Sequence, residues 1–248
     1  DAVTLAKMAP GTDGNVISYD ASGNPVAVAT GNSGQVLTSA GAGAPPTFAT
    51  VSGGVTFKEG GTNFTRSLLV GTDSTGTLSS ANDNTGLGTN VFSALTSGTS
   101  NSVVGSFALC SNTTGEDNSV VGKNALCTNT SGSSNVAMGK NALYANTTAS
   151  NNTAVGVNAL TTNTTGIRNI AVGALSLSAN TTASDNVAIG YTALDNNTTG
   201  ADNVAVGNNA LDANTTGANN TGVGHNSLNA NTTASDNVGV GFCAMKSN

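Results

Sequence analysis

Residues 186–190, Asn-Val-Ala-Ile-Gly, indicate the fold of this protein, because variants of this sequence recur every 17 residues along most of the chain. From residue 84 onward one glycine, here called the anchor glycine, returns at this spacing without insertion or deletion. Positions in each repeat are numbered from it, so that −1 precedes the glycine and +1 follows it. Self-similarity at a short fixed period predicts a solenoid. The anchor glycines are Gly88, Gly105, Gly122, Gly139, Gly156, Gly173, Gly190, Gly207, Gly224 and Gly241.

An asparagine occupies position −4 of every repeat, and apolar residues occupy −1 and +4. Successive coils of a β-solenoid place like residues about 4.8 Å apart. The asparagines are therefore predicted to form a ladder of side-chain amides. We interpret them, like the anchor glycines, as structural residues. They are Asn84, Asn101, Asn118, Asn135, Asn152, Asn169, Asn186, Asn203, Asn220 and Asn237.

The residue types favour a β-coil over a helical repeat. Asn, Thr, Ser, Gly and Val fill each repeat, and all of them have low helix propensity. Strand alternation places Val187 and Ile189 on one face and Ala188 on the other, and we expect the larger pair to point inward. The sequence thus predicts an all-β protein: a parallel β-solenoid rod of about eleven 17-residue coils over residues 67–248, after a short-stranded amino-terminal region over residues 1–66.

Small residues suggest how the rod assembles. The apolar core of a single coil is thin, which indicates that another surface is also buried. Alanine is frequent at −2 and +3, and such small side chains would let a second chain approach closely. We therefore predict a parallel homotrimer. Charged residues after residue 84 fall only at +1, +5, +11 and +12, and these positions are expected to face water.

Composition excludes several classes of protein. Only 8% of the 248 residues are charged and there is no Trp, which is atypical of a globular domain. The net charge of −6 opposes nucleic-acid binding. No apolar run approaches the roughly 18 residues of a membrane span, so no membrane insertion is expected. The chain starts with Asp1, without an initiator Met or a signal peptide, and we expect a processed chain or a fragment.

Three cysteines are present. Cys110 and Cys127 share position +5 of adjacent coils, so their Cα atoms should lie about 5 Å apart, within the range of a disulfide. Two readings are open at this point: a disulfide between coils, or two surface thiols in a variable position. Cys243 has no evident partner in the sequence.

The amino-terminal residues resemble a known module. Short apolar alternations and closely spaced turn residues predict short strands without a large core. Residues 5–15 (LAKMAPGTDGN), 17–23 (ISYDASG), 34–39 (GQVLTS) and 46–48 (PTF) resemble a module common in bacteriophage tail fibre proteins.

The repeat has a resemblance of its own. Asn-Val-Ala-Ile-Gly and its variants are similar to the head repeat of trimeric autotransporter adhesins, which implies a left-handed parallel β-roll assembled as a trimer. The coil of that family is somewhat shorter than 17 residues. Together the two resemblances imply a fibre on a phage virion, outside the cell. Its partners would be other virion tail or fibre proteins and a glycan or protein of the host cell surface.

No constellation of catalytic residues is found, so neither an enzyme nor a cofactor is predicted. The single histidine, His225, lacks the second histidine of an obvious metal site. The aspartates at +12, Asp185, Asp202 and Asp236, are interrupted by Asn219 and are interpreted as solvated charges rather than metal ligands.

One candidate binding surface stands out. Position +1 tolerates Lys, Asn and Ala and is therefore expected to be exposed, and it carries Tyr191, His225 and Phe242. Exposed aromatic rings can stack on sugars or pack on a partner. The alternatives are unrelated substitutions in a permissive position, or residues that face a neighbouring chain.

Three functions fit the sequence. The first is a structural virion fibre that reaches or attaches to a host surface. The second is a bacterial surface adhesin or the subunit of a self-assembling extracellular filament. The third, an ice-binding solenoid with threonines at +8 and +9, is the weakest, because adjacent strand residues point to opposite faces.

Overall fold

The computed structural model describes residues 16–19, 21–28, 35–39, 44–50, 57–59, 63–71 and 75–247. These residues form strands, turns and connecting segments, with no helix among them. The prediction of an all-β protein with a parallel β-solenoid is confirmed. The chain divides into two compact units, residues 1–54 and 55–248.

The first unit contains two small antiparallel sheets. Strand β1 (Val16–Tyr19) pairs with β2 (Pro25–Val28), and β3 (Gln35–Thr38) pairs with β4 (Thr47–Thr50). The turn between β1 and β2 uses Gly23 at a φ of 81°. Residues 5–15, which carry part of the resemblance to tail fibres, lie outside the described residues.

The second unit is the rod, built on one sheet of 12 strands in sequential order. Strand β5 (Phe57–Glu59) lies antiparallel to β6 (Leu68–Val70), and every later strand pairs in parallel with the strand before it. The later strands are β7 (Thr85–Leu87), β8 (Ser102–Val104), β9 (Ser119–Val121), β10 (Val136–Met138), β11 (Thr153–Val155), β12 (Ile170–Val172), β13 (Val187–Ile189), β14 (Val204–Val206), β15 (Thr221–Val223) and β16 (Val238–Val240).

The register repeats the period of the sequence. Val187 pairs with Val204, and Ile189 pairs with Val206, so each residue lies beside the residue 17 positions later. The periodic sequence begins at residue 67, whereas the compact unit begins at residue 55, because β5 joins the same sheet as β6.

The interior of each coil differs from the sequence-based expectation. Ala188, Ala193 and Leu194, at −2, +3 and +4, are fully buried, whereas Ile189 is 40% exposed and Val187 is half-buried. The prediction that Val187 and Ile189 point inward was therefore wrong. Asn186 at −4 is buried, and alternation along the strand then puts Ala188 on the same inner face.

The turn after the anchor glycine explains why position +4 is leucine in most coils. The N–H of Ala159 donates to the carbonyl of Gly156, and Asn158 and Leu160 both adopt positive φ, at 57° and 51°. Positive φ costs a non-glycine residue about 1–2 kcal/mol, and burial of a leucine contributes about 1.5–3 kcal/mol. A β-branched residue would be more strained at this backbone conformation. Leucine thus supplies apolar volume where Val or Ile would fit poorly.

Candidate functional site

The asparagines at −4 form a continuous ladder inside the rod. From Asn101 to Asn237, the backbone N–H of each donates to the Oδ1 of the asparagine in the preceding coil. Asn169 is typical: its Nδ2 donates to the carbonyl of Ala183 at 2.9 Å, and its Oδ1 accepts the N–H of Asn186 at 3.0 Å. Because this ladder is buried, each amide satisfies backbone groups that water does not reach.

A second asparagine ladder runs along position +7. Asn163 donates through Nδ2 to the Oδ1 of Asn146 at 3.2 Å, and the same link joins every adjacent pair in this ladder. The sequence analysis above did not predict this second ladder. The available signal was that asparagine fills +7 in every coil from residue 112 to residue 231. The members are Asn112, Asn129, Asn146, Asn163, Asn180, Asn197, Asn214 and Asn231.

The two ladders meet at one backbone carbonyl in seven of the coils. The carbonyl of Gly166, at +10, accepts Nδ2 of Asn152 and Nδ2 of Asn163, both at 2.9 Å. Among the described residues, no buried side-chain nitrogen or oxygen lacks a hydrogen-bond partner. Hydrogen bonds of the asparagines thus connect the polar half of the coil interior, and the apolar half contains the residues at −2, +3 and +4.

The backbones of successive coils come close together at the anchor glycines. All ten have φ between 127° and 142°, a region that side-chain-bearing residues avoid. A Cβ on Gly190 would lie 2.5 Å from the carbonyl oxygen of Gly207 and 2.6 Å from its carbonyl carbon. Both the backbone angle and the spacing between coils therefore require glycine.

The outer side of the parallel strands is an apolar surface, here called the outer sheet face and defined by positions −3 and −1. Position −1 is apolar in every coil from Val70 to Val240. Leu87 is 50% exposed, and Val104, Val121, Met138 and Ile189 are also exposed. Position −3 adds Val, Ile, Leu, Thr or Ser, and neither position carries a charge from residue 68 to residue 240. This face is continuous along the rod.

Most +1 side chains are exposed, and Tyr191, His225 and Phe242 are among them, as the sequence predicted. Phe242 and Tyr191 are among the most exposed large side chains, and His225 is exposed as well. The structure brings two of the three together: the rings of His225 and Phe242 stack with centroids 5.4 Å apart. Tyr191 lies two coils from His225, separated from it by Asn208, whose Oδ1 accepts the N–H of Tyr191. The binding role of these residues stays a prediction.

Charges lie at the turns. At +12, Arg168 donates two hydrogen bonds to the carboxylate of Asp185, which holds the pKa of Asp185 below its ordinary value. At +5, burial, and secondarily the charge of Asp195, raises the pKa of Asp212. In the part of the chain that the structure describes, no group of three or more His, Cys, Asp or Glu residues could hold a metal ion.

The threonines at +8 and +9 have different environments. The hydroxyl of Thr164 at +8 donates to the carbonyl of Thr181 in the next coil at 3.0 Å, whereas Thr165 at +9 is exposed. The +8 hydroxyls are thus used between coils, which leaves one threonine column exposed to solvent. This arrangement does not favour an ice-binding face with two threonine columns.

Comparisons with protein families, with curated proteins and with solved structures find no match for this chain. In its described part, the structure has no helix long and apolar enough to cross a membrane.

Proposed function

We propose that this protein is a structural, homotrimeric fibre of a phage virion, a tail fibre or related appendage, that reaches or attaches to the host surface. The observation that supports the proposal best is the outer sheet face, an uncharged apolar surface that runs along the whole rod. The rod is extended by simple repetition, which suits a spacer between a particle and a distant surface.

The outer sheet face favours association with further copies of the chain. At about 4.8 Å per strand the face is on the order of 50 Å long. Continuous exposed apolar surface of this kind usually marks a protein interface. Charges lie at other positions of the coil, so copies can meet on this face without burying a charge, which would be costly.

The same face replaces the interface that the sequence suggested. The small residues at −2 and +3, such as Ala188 and Ala193, fill the interior of the coil and are fully buried. They are therefore not available to a neighbouring chain. In a cyclic trimer the outer sheet faces meet near a common axis, and the same face is buried in each of the three copies.

The phage assignment is supported by the amino-terminal sequence, where residues 17–23 and 34–39 resemble the tail fibre module. Under this proposal the protein lies on the virion, outside the cell, with other tail or fibre proteins as partners. The exposed +1 residues Tyr191, His225 and Phe242 are then the candidate contacts to a host glycan or protein.

A second candidate is a bacterial surface adhesin or the subunit of an extracellular filament. It is favoured by the similarity of the repeat to adhesin heads, which concerns most of the chain. The outer sheet face would serve the same purpose there. The two candidates differ in where the protein is found, rather than in how the rod is built.

Labelling the native protein distinguishes them. Antibodies against the purified rod, detected with gold particles in electron micrographs, are expected to mark thin appendages on virions. Pre-incubation of the antibodies with the rod should remove the label. Labels restricted to cell surfaces or to filaments released by cells, with none on virions, would overturn the phage assignment in favour of the second candidate.

A further inference from the structure

The cysteines of two successive coils lie side by side. Cys110 and Cys127 both occupy position +5, and their Sγ atoms are 2.8 Å apart. Their backbones are held in register, since the N–H of Ser111 donates to the carbonyl of Cys127 at 3.1 Å. Neighbouring coils are spaced by about 4.8 Å, which is within the Cα separation that a disulfide accepts. This spacing and the contact between the two sulfurs permit a disulfide.

The two thiols differ in acidity. A hydrogen bond from the Cys127 thiol, aided by the hydroxyl of Ser111, lowers the pKa of Cys110 to about 6. The same pairing raises the pKa of Cys127. At neutral pH Cys110 is thus largely a thiolate, while Cys127 keeps its proton. Both are half-buried, so a small reagent can reach the thiolate.

Packing does not account for this pair. Position +5 carries Ser93, Tyr144 and Thr161 in other coils, so no particular side chain is needed there to build the coil. The rod nevertheless places its two cysteines in neighbouring coils, in direct contact. A nucleophilic thiolate beside a second, resolving thiol is the arrangement found at sites that oxidise readily.

We propose that Cys110 and Cys127 form a redox-active dithiol site that is oxidised by a small-molecule disulfide to a covalent link between adjacent coils. The Cys110 thiolate attacks one sulfur of the reagent, which forms a mixed disulfide and releases one thiolate. Cys127 then loses its proton to solvent and attacks Sγ of Cys110, releasing the second thiolate. Two electrons pass from the protein thiols to the reagent, which leaves as two thiols.

The link would close one coil of the rod covalently. It cross-links positions 17 residues apart in sequence, so that these coils cannot separate without breaking it. Disulfides persist outside the reducing cytosol, and an extracellular fibre as proposed above would carry the oxidised form. The chemistry of the site does not depend on that function and is tested on the purified chain.

Trypsin provides a direct readout, because Lys123 lies between the two cysteines. The purified, reduced full chain is incubated with oxidised glutathione at neutral pH, quenched with iodoacetamide, unfolded and digested. Cys110 lies in the peptide 67–123, Cys127 in 124–140 and Cys243 in 169–246. We expect peptides 67–123 and 124–140 to be joined, with a mass lower by two hydrogen atoms than their sum, and Cys243 to be alkylated.

Matched variants identify the nucleophile. Cys110→Ser and Cys127→Ser should both fold, since Ser93 and Ser178 occupy +5 in other coils, and circular dichroism checks this. In Cys127→Ser the reaction should stop at a mixed disulfide of Cys110 with glutathione. The Cys110→Ser variant should react with oxidised glutathione many times more slowly. In the wild type, alkylation of Cys110 should rise with pH around a midpoint near 6, and Cys127→Ala should shift that midpoint upward.

Three results would overturn the proposal. The first is folded wild-type protein in which peptides 67–123 and 124–140 stay separate although oxidised glutathione is in excess. The second is a linked peptide that contains Cys243 in place of Cys110 or Cys127. The third is an alkylation midpoint of Cys110 that Cys127→Ala leaves unchanged.

Discussion

Replacing Gly190 by alanine is expected to destabilise the rod by about 3 kcal/mol or more, among the largest effects of any single methyl group in this chain. The glycine has a φ of 139°, which an alanine adopts only with strain. The added Cβ would also lie 2.5 Å from the carbonyl oxygen of Gly207, so the next coil must move away. Thermal unfolding of the full chain, followed by circular dichroism, measures the loss.

Gly222→Ala is the matched control for this prediction. Gly222 lies at −2, where Ala188 and Ala205 occur in other coils, and its φ is not positive. Its new Cβ would meet the side chain of Leu211 at 3.2 Å, a contact that a small side-chain shift relieves. We expect a change within about 1 kcal/mol. Equal melting shifts for Gly190→Ala and Gly222→Ala would show that the anchor glycines are not special.

Replacing Asn169 by aspartate is expected to cost about 3 kcal/mol at neutral pH, although the two side chains have nearly the same shape. Asn169 is fully buried and donates through Nδ2 to the carbonyl of Ala183. An ionised carboxylate cannot donate this bond and places a charge beside the carbonyl oxygen. The effect therefore measures the hydrogen bonds of the ladder rather than a cavity.

The pH dependence of this variant adds a second readout. Burial raises the pKa of the new carboxyl in the folded state above the value near 4 of the unfolded chain. Between these two pKa values the folded state binds more protons than the unfolded state. The free energy of unfolding therefore falls as pH rises from about 4 through the pKa of the folded state. The loss of melting temperature relative to the wild type should be smaller at pH 3 than at pH 7.

Asn151→Ser is the control variant, at an exposed +12 position that Ser134 occupies one coil earlier. It should change stability by less than about 0.5 kcal/mol. For the aspartate variant at Asn169, a loss of stability that does not depend on pH would contradict the burial of this side chain in the ladder.

The period of the sequence was sufficient to predict the solenoid and the −4 ladder, because stacking in register follows directly from a spacing without insertions. It was not sufficient to predict which side of the strand faces inward. Large apolar residues at −3 and −1 were expected to form the core. Instead Asn186 at −4 is buried, and Ala188, two residues later on the same strand face, is buried beside it. In such a narrow coil, asparagine amides occupy much of the interior, and alanine is what fits beside them.

The surfaces were predictable to different degrees. Tolerance of varied residues at +1 correctly indicated exposure of Tyr191 and Phe242. The contact between Cys110 and Cys127 followed from their shared position, but their unequal acidity depends on the orientation of the thiols, which no spacing reveals. The outer sheet face was missed as an exposed apolar surface because its apolar residues had been assigned to the core.

The mass of the full chain in native buffer, measured by light scattering, shows whether the outer sheet face joins copies of the chain. We expect about three times the 24.0 kDa of one chain. Ile170→Lys combined with Ile189→Lys places charges on the outer sheet face and should abolish the trimer. Thr182→Lys combined with Thr199→Lys, at exposed +9 positions, should leave it intact. A folded, stable wild-type chain of 24.0 kDa would contradict the claim that this face joins copies of the protein.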